Sequence, residues 1–148
     1  MNTKIGFAVT DEEIDGCFAA MQALRPHITD PGAFCRQVQE MKKEGYRLLY
    51  IAVQEKGQQQ VTAVAGFRPM YKLHSGRGFY IDDLSTLPGH RGKGYAGQLL
   101  DYIHRLAKEE GKAVVDLDSG FQRHDAHRLY LNKGYLLATH HFSFRVPE

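Results

Sequence analysis

The spacing of apolar side chains changes several times along the chain, and each change marks an element. Residues 3–9 read as a short first strand. Ile14, Cys17, Phe18, Met21 and Leu24 then recur at helical spacing, which predicts a helix over about 11–24. Thr10 or Asp11 would cap it, with Glu12, Glu13 and Asp15 in its first turn. Pro26 ends it, and Asp30-Pro31 starts a second helix whose stripe is Phe34, Val38 and Met41. Residues 47–53 and 60–67 are strand-like, with a hairpin loop at 55–58. Residues 69–77 read as a polar connection carrying Tyr71, Lys72, His74 and Arg77, and 78–87 as the next strand. Tyr95, Leu99, Ile103 and Leu106 line one side of a helix that runs to about Glu110, while Asp101, Arg105 and Lys108 fall on the other. Residues 113–118 form a strand, and its direct succession predicts a parallel βαβ unit with a right-handed crossover. A short helix over about 124–132 holds Ala126, Leu129 and Tyr130, and Gly134 ends it. Residues 135–137 and 140–146 read as closing antiparallel strands at a sheet edge. The fold class is α/β with a mixed, mostly antiparallel central sheet.

Composition narrows this picture only a little. The 148 residues suit one domain, 1–148, with a real core. Apolar residues make up 43% and charged residues 24%, as in ordinary globular chains. A net charge of +2 is too near neutral to argue for nucleic acid. No apolar run reaches membrane-spanning length, and the first seven residues lack a leader's apolar core. Cys17 and Cys35 have neither metal nor redox spacing; no metal is expected, and a reducing cytoplasm is the default location.

The informative stretch is 88–97. Pro88 and Gly89 break the strand, and a basic, glycine-dense loop, His90-Arg91-Gly92-Lys93-Gly94-Tyr95-Ala96-Gly97, leads straight into the helix. Strand, glycine loop and helix together aim backbone N–H groups at a phosphate. Arg91 and Lys93 sit where the first turn should begin, against the helix dipole. A docked anion would compensate for that; a solvated turn with two surface cations is the plainer alternative. Gly92-Lys93-Gly94-Tyr95-Ala96-Gly97 also spells the dinucleotide fingerprint, with Asp116 and Asp118 about twenty residues on. In that fold, however, the first glycine follows the strand at once, whereas Pro88, Gly89, His90 and Arg91 intervene here. Too little chain follows Asp118 for further βαβ units, so a dinucleotide oxidoreductase is a remote alternative.

Arg91-Gly92-Lys93-Gly94-Tyr95-Ala96 resembles the Arg/Gln-x-x-Gly-x-Gly/Ala signature of the GNAT N-acetyltransferase superfamily, together with the preceding Leu84-Ser85-Thr86-Leu87-Pro88. Ala126-His127-Arg128-Leu129-Tyr130-Leu131-Asn132-Lys133-Gly134-Tyr135 is similar to that superfamily's Ala-x-x-x-Tyr-x-x-x-Gly-Phe segment. The element order agrees as well. One position departs: Arg123 stands where the superfamily often has Asn, and the wording Arg123-His124-Asp125-Ala126-His127-Arg128 is nearest to aminoalkylphosphonate acetyltransferases and uncharacterised bacterial relatives. The resemblance implies the acyl-CoA N-acyltransferase fold. Its sheet would have about six to seven strands and about four flanking helices, splayed between the strands at 78–87 and 113–118.

It also implies a chemistry. Acetyl-CoA would be the cosubstrate and a primary amine of a small molecule or peptide the acceptor, attacking the thioester directly. The loop residues Arg91, Gly92, Lys93, Gly94, Tyr95 and Ala96 would grip the pyrophosphate. Leu84, Ser85 and Thr86 would offer backbone contacts to the pantetheine arm where a bulge frees them, and Arg123 would stand at the usual Asn contact. Tyr130 would protonate the leaving thiolate; otherwise it is core. A carboxylate must take the ammonium proton, since alkyl ammonium pKa values lie near ~10.4. Asp82 comes first, then Asp118, then Asp83, the two neighbours being expected on opposite faces of the strand. Each could instead pair with an arginine or cap a turn. His124 and His127 are further candidates or surface residues, and Arg25, His27, Tyr71, His74 and Arg77 could shape an acidic acceptor's pocket. The C-terminal edge strand allows a homodimer. A silent acyl-CoA-binding sensor of the same fold is the alternative from another class.

Overall fold

The computed structural model describes residues 2–148. The chain divides into two compact units, Met1–Leu117 and Asp118–Glu148, which are taken in turn.

The first unit is a five-stranded sheet with helices. Its strands are β1 (Asn2–Phe7), β2 (Arg47–Glu55), β3 (Gln58–Lys72), β4 (Gly76–Thr86) and β5 (Val114–Leu117), side by side in that order. The first four are antiparallel neighbours, and β5 runs parallel to β4. The helices of this unit are α1 (Asp11–Gly16), α2 (Phe18–Leu24), α3 (Pro31–Lys42) and α4 (Tyr95–Glu109), with a single 3-10 turn at Pro88–His90. Thr10 caps α1 in a reciprocal box: its hydroxyl accepts from the Glu13 N–H at 3.1 Å, and the Glu13 carboxylate accepts from the Thr10 N–H at 3.0 Å.

Alternation along β2 divides the core between the two faces of the sheet. Leu48, Tyr50 and Ala52 join Ile14, Cys17, Met21, Phe34 and Val38 in the layer under α1–α3. On the other face Phe7 meets Tyr102 of α4 and Phe67 meets Phe79, with ring centroids 5.9 and 5.0 Å apart. Leu99, Leu100 and Ile103 of α4 are fully buried.

Three boundaries differ from the sequence reading. The helix expected over 11–24 is two helices meeting at Cys17, whose N–H bonds the Ile14 carbonyl three residues back. The polar segment 69–77 is not a connection: β3 and β4 extend through it as a long hairpin, with Tyr71 opposite Arg77 and Lys72 opposite Gly76. Its polar side chains are simply those of an exposed ribbon.

The third difference lies in the second unit. It holds one helix, α5 (His124–Asn132), as expected, but residues 135–148 form no strand. The sheet among the described residues therefore has five strands, not six to seven, and there are five α-helices rather than about four. Leu136, Leu137, Phe142, Phe144 and Val146 are between 83% and 93% exposed. Alternation produces a stable strand only where one face is buried, and none of these side chains has that environment.

Candidate active site

The sheet opens at one place. β4 and β5 pair from Gly78↔Val114 to Ile81↔Leu117, and β4 then continues through Asp82–Thr86 after β5 has ended. On its other side β4 stays paired with β3, but the register shifts: Gly66 faces Asp83 and Phe67 faces Ile81, leaving Asp82 as the extra residue. This is a β-bulge, which bends its strand and raises local twist. Pairing between these strands therefore ends at Ile81 and Leu117, at the place where the splay was expected.

The bulge corrects one expectation. A regular strand would send Asp82 and Asp83 to opposite faces. The extra residue breaks the period of two, and both carboxylates enter one polar cluster. Asp82 accepts from Arg68 Nε at 3.0 and 3.1 Å and from Arg68 Nη2 at 2.6 Å. Asp83 accepts from the Tyr46 hydroxyl at 2.9 Å and from Arg25 Nε at 3.1 Å, and Arg25 Nη2 donates to the Asp82 carbonyl at 2.8 Å. The Arg68 guanidinium lies over the Tyr46 ring, 5.4 Å from its centroid. Burial raises the Asp83 carboxyl pKa from its ordinary value, although Tyr46 and Arg25 act against it. Burial, reinforced by Asp83, holds the Tyr46 phenol well above its ordinary value.

Beyond the opening, β4 runs through Leu84, the buried Ser85 and Thr86 into the glycine loop. Arg91 Nε donates to the Thr86 carbonyl at 3.3 Å, which draws the first loop cation back against the strand end. Gly92 and Gly94 have φ of 78° and 85°, the left-handed region that side chains rarely adopt. Gly94 is the N-cap of α4, and no side chain caps that helix end or places an acid in its first turn. The first amides of α4 are thus left to an outside acceptor, beside Arg91 and the exposed Lys93. Tyr95 is buried, so its side chain belongs to the core. These groups fit a doubly charged phosphate ester at the loop and an extended amide-bearing arm along Asp82–Thr86.

The remaining expected residues lie in the second unit. Asp118 follows β5 directly, and its carboxylate is 3.2 Å from His141 Nδ1. Arg123 is the N-cap residue of α5. His127 Nε2 lies 2.8 Å from the Gly120 carbonyl, which ties the loop before α5 to the helix. Tyr130 is half-buried, with its ring centroid 5.8 Å from that of Tyr135, and burial raises its phenol pKa. The five residues suggested for an acidic acceptor's pocket do not gather at the opening. Arg25 is bound to the bulge, whereas Arg77 stacks on Tyr71 at 3.9 Å near the far end of the hairpin.

Sequence reasoning missed Tyr46, Arg68 and Gly66. A glycine inside an otherwise apolar strand was the available signal, since it marks a bulge or a close approach. A Cβ at Gly66 would lie 1.7 Å from the Tyr46 hydroxyl oxygen.

A parallel strand pair that opens beside a glycine turn and an uncapped helix start places the chain in the class of acyl-CoA acyltransferase folds. The model of the acetyltransferase (GNAT) family matches residues 17–135, and the chain belongs to that family. It is 40% identical over 88 residues to the uncharacterized N-acetyltransferase YhdJ of Bacillus subtilis (strain 168), covering 59% of this chain and 61% of that one. It is 31% identical over 86 residues to an aminoalkylphosphonate N-acetyltransferase of Salmonella typhimurium (strain LT2), covering 57% of this chain and 54% of that one. The matched stretch thus spans a little over half of each relative. A transcriptional regulator from Bacillus halodurans C-125 superposes with a TM-score of 0.83 at 20% identity, over 98% of this chain and 100% of that one, which speaks to fold alone. No helix of the described residues is long and apolar enough to cross a membrane.

Proposed function

We propose that the protein is an acetyl-CoA-dependent N-acetyltransferase, acting as one domain over 1–148, that acetylates a primary amine of a small molecule or peptide. The observation that carries this reading is the opening of β4 from β5 at Ile81↔Leu117, continuous with the Arg91–Ala96 turn and the uncapped start of α4. Family membership supports it, because members of this family generally use acetyl-CoA. The likeness to an aminoalkylphosphonate N-acetyltransferase favours an amine that also bears an anionic group. The cytoplasm is the compartment that fits this cosubstrate.

In this mechanism the amides of residues 91–96, with Arg91 and Lys93, hold the pyrophosphate. Backbone groups of Leu84, Ser85 and Thr86 align the arm and the thioester carbonyl, and one N–H there stabilises the oxyanion. Tyr130 donates a proton to the departing thiolate, and its raised pKa keeps it protonated across the neutral and mildly alkaline range. Arg123 stands at a cofactor contact. The ammonium proton passes to a carboxylate, and Asp82, Asp118 and Asp83 are the candidates.

Thermal shift with acetyl-CoA, CoA and NAD(H), followed by thiol release from acetyl-CoA over an amine panel, tests this reading. A ligand at 100 Kd stabilises by about 2.7 kcal/mol. Acetyl-CoA and CoA should raise Tm and NAD(H) should not; the reverse would sink the reading. Binding without thiol release would make the protein an acyl-CoA sensor. Tyr130→Phe should lower kcat by about 100-fold or more while leaving acetyl-CoA binding in place. Turnover near the wild-type rate would remove Tyr130 from the mechanism.

A further inference from the structure

The two aspartates at the bulge are adjacent but differently held. Both oxygens of Asp82 accept from the fork of Arg68, a two-pronged charge-assisted pair that fixes the carboxylate to one partner. Asp83 divides its oxygens. Oδ2 accepts from Tyr46, and Oδ1 accepts from Arg25 Nε, with Arg25 Nη2 also 3.0 Å away. The Asp83 side chain is only 12% exposed, whereas that of Arg25 is 41% exposed. The carboxylate is thus withdrawn from water while its countercharge is screened by it.

Tyr46 reaches Asp83 across residue 66, which pairs with Asp83 in the β3–β4 register. The phenol fits only because that residue is glycine; a Cβ would lie 2.3 Å from the ring carbon that bears the hydroxyl. The backbone of β3 therefore leaves room for one hydroxyl that serves one carboxylate. That carboxylate lies two residues past the last β4–β5 pair, at the start of the open edge.

We infer that Asp83 receives the proton of the acceptor's ammonium group, and that Tyr46, with Arg25, is the positioning residue that fixes its carboxylate. The inference rests on the acetyltransferase reading. An N–H bond of the ammonium breaks, its electron pair stays on nitrogen, and the proton binds an Asp83 oxygen. The nitrogen lone pair then forms the bond to the thioester carbon. As the tetrahedral species collapses, the C–S electrons leave with sulfur, which takes the proton of Tyr130, and the second proton that the amide nitrogen must lose passes through water to restore the Tyr130 phenol. Asp83 returns its proton to water. Burial makes Asp83 a stronger base than an exposed aspartate, while the Tyr46 hydroxyl and Arg25 favour its charged form. The groups that face it are Arg25 at the end of α2, Tyr46 ahead of β2 and Asp82 on β4, with Arg68 of β3 bound to Asp82 and lying over the Tyr46 ring.

The test is the pH dependence of kcat/KM for thiol release from acetyl-CoA. The acceptor is the best amine among aminoalkylphosphonates, amino acids, polyamines and short peptides. The wild type should show an acidic limb, with the rate rising as one group loses a proton. Asp83→Asn should abolish that limb and lower kcat/KM by about 100-fold or more. Tyr46→Phe should move the limb to higher pH, because the lost hydrogen bond favours the charged carboxylate. Acetyl-CoA affinity should stay unchanged in that variant. Arg25→Gln, at a more exposed position, should move the limb the same way and serves if Tyr46→Phe fails to fold. A purely structural Tyr46 would lower Tm and leave the limb in place, which would overturn the inference. So would a limb that survives Asp83→Asn or that vanishes in Asp82→Asn instead. A wild type that binds acetyl-CoA yet releases no thiol with any amine would sink the transferase reading and this inference with it. That outcome is distinct from a wild type that turns over with an unmoved limb.

Discussion

The two halves of β4 are built on different principles. From Gly78 to Ile81 the strand is paired on both sides, and Phe79 and Ile81 are buried in the core. From Asp82 to Thr86 it is paired with β3 alone; arginines and a tyrosine hold its two aspartate side chains, and Arg91 of the loop donates to its Thr86 carbonyl. One strand thus changes from scaffold to candidate site within a single residue, and a one-residue bulge marks the change. The rigid half fixes where the open half stands. The open half keeps backbone groups that a fully paired strand would spend on the ladder.

This division can be broken by mutation, most strongly in the closed half. Phe79→Ala removes a fully buried ring that packs edge-on against Phe67 at 5.0 Å. Phe→Ala changes in cores cost about 3–5 kcal/mol, so urea denaturation should show a loss of that size. Turnover per folded molecule should hold. A fall in kcat under conditions where the variant is folded would mean that the two halves are not separable.

The closed half was also the more legible one. Strand 78–87, the glycine loop and the helix after it could be placed from periodicity, and left-handed φ at Gly92 and Gly94 agrees with the choice of glycine there. The bulge was not legible. An extra residue leaves no trace in composition, yet it moved Asp82 and Asp83 from opposite faces into one cluster. Tyr46 was hidden for a similar reason: an aromatic residue ahead of an apolar strand reads as core, and only the space over Gly66 gives it a polar task. Proline at 69 and polar neighbours hid the outer part of the β3–β4 hairpin. The C-terminal residues show the opposite error, since Phe142, Phe144 and Val146 alternate like a strand but are exposed and form none. A period describes what a segment could bury and cannot supply the surface against which to bury it.

A smaller effect is expected from the open half. Arg91→Ala removes a cation that the Thr86 carbonyl positions at the start of the glycine loop. Hydrogen bonds to charged groups contribute about 1.5–3 kcal/mol, so acetyl-CoA binding by calorimetry should weaken roughly 10- to 100-fold. Stability without ligand should change by less than about 0.5 kcal/mol, as at other surface positions. A large loss of Tm in the unliganded variant would make Arg91 a structural clamp instead.

The smallest effect probes the closed half from outside. Arg47 lies over Phe67 and Phe79, 5.4 and 5.3 Å from their centroids, and its fork donates to both oxygens of Glu110 at 2.8 and 2.9 Å. Hydrogen bonding to Arg47 lowers the Glu110 pKa below its ordinary value of 4.5. A carboxyl whose pKa falls on folding stabilises the fold fully above its unfolded value, and the contribution fades as pH drops through the folded value. Both side chains are 33% exposed, so water and salt screen the pair. Glu110→Gln should therefore cost only about 0.2–1 kcal/mol at pH 7, as exposed pairs do. Urea denaturation at pH 7 and again in the acid range should show the gap between variant and wild type closing as pH falls. If the gap stayed constant into acid, the contribution would come from packing of the Arg47 guanidinium on the two rings and not from the charge on Glu110.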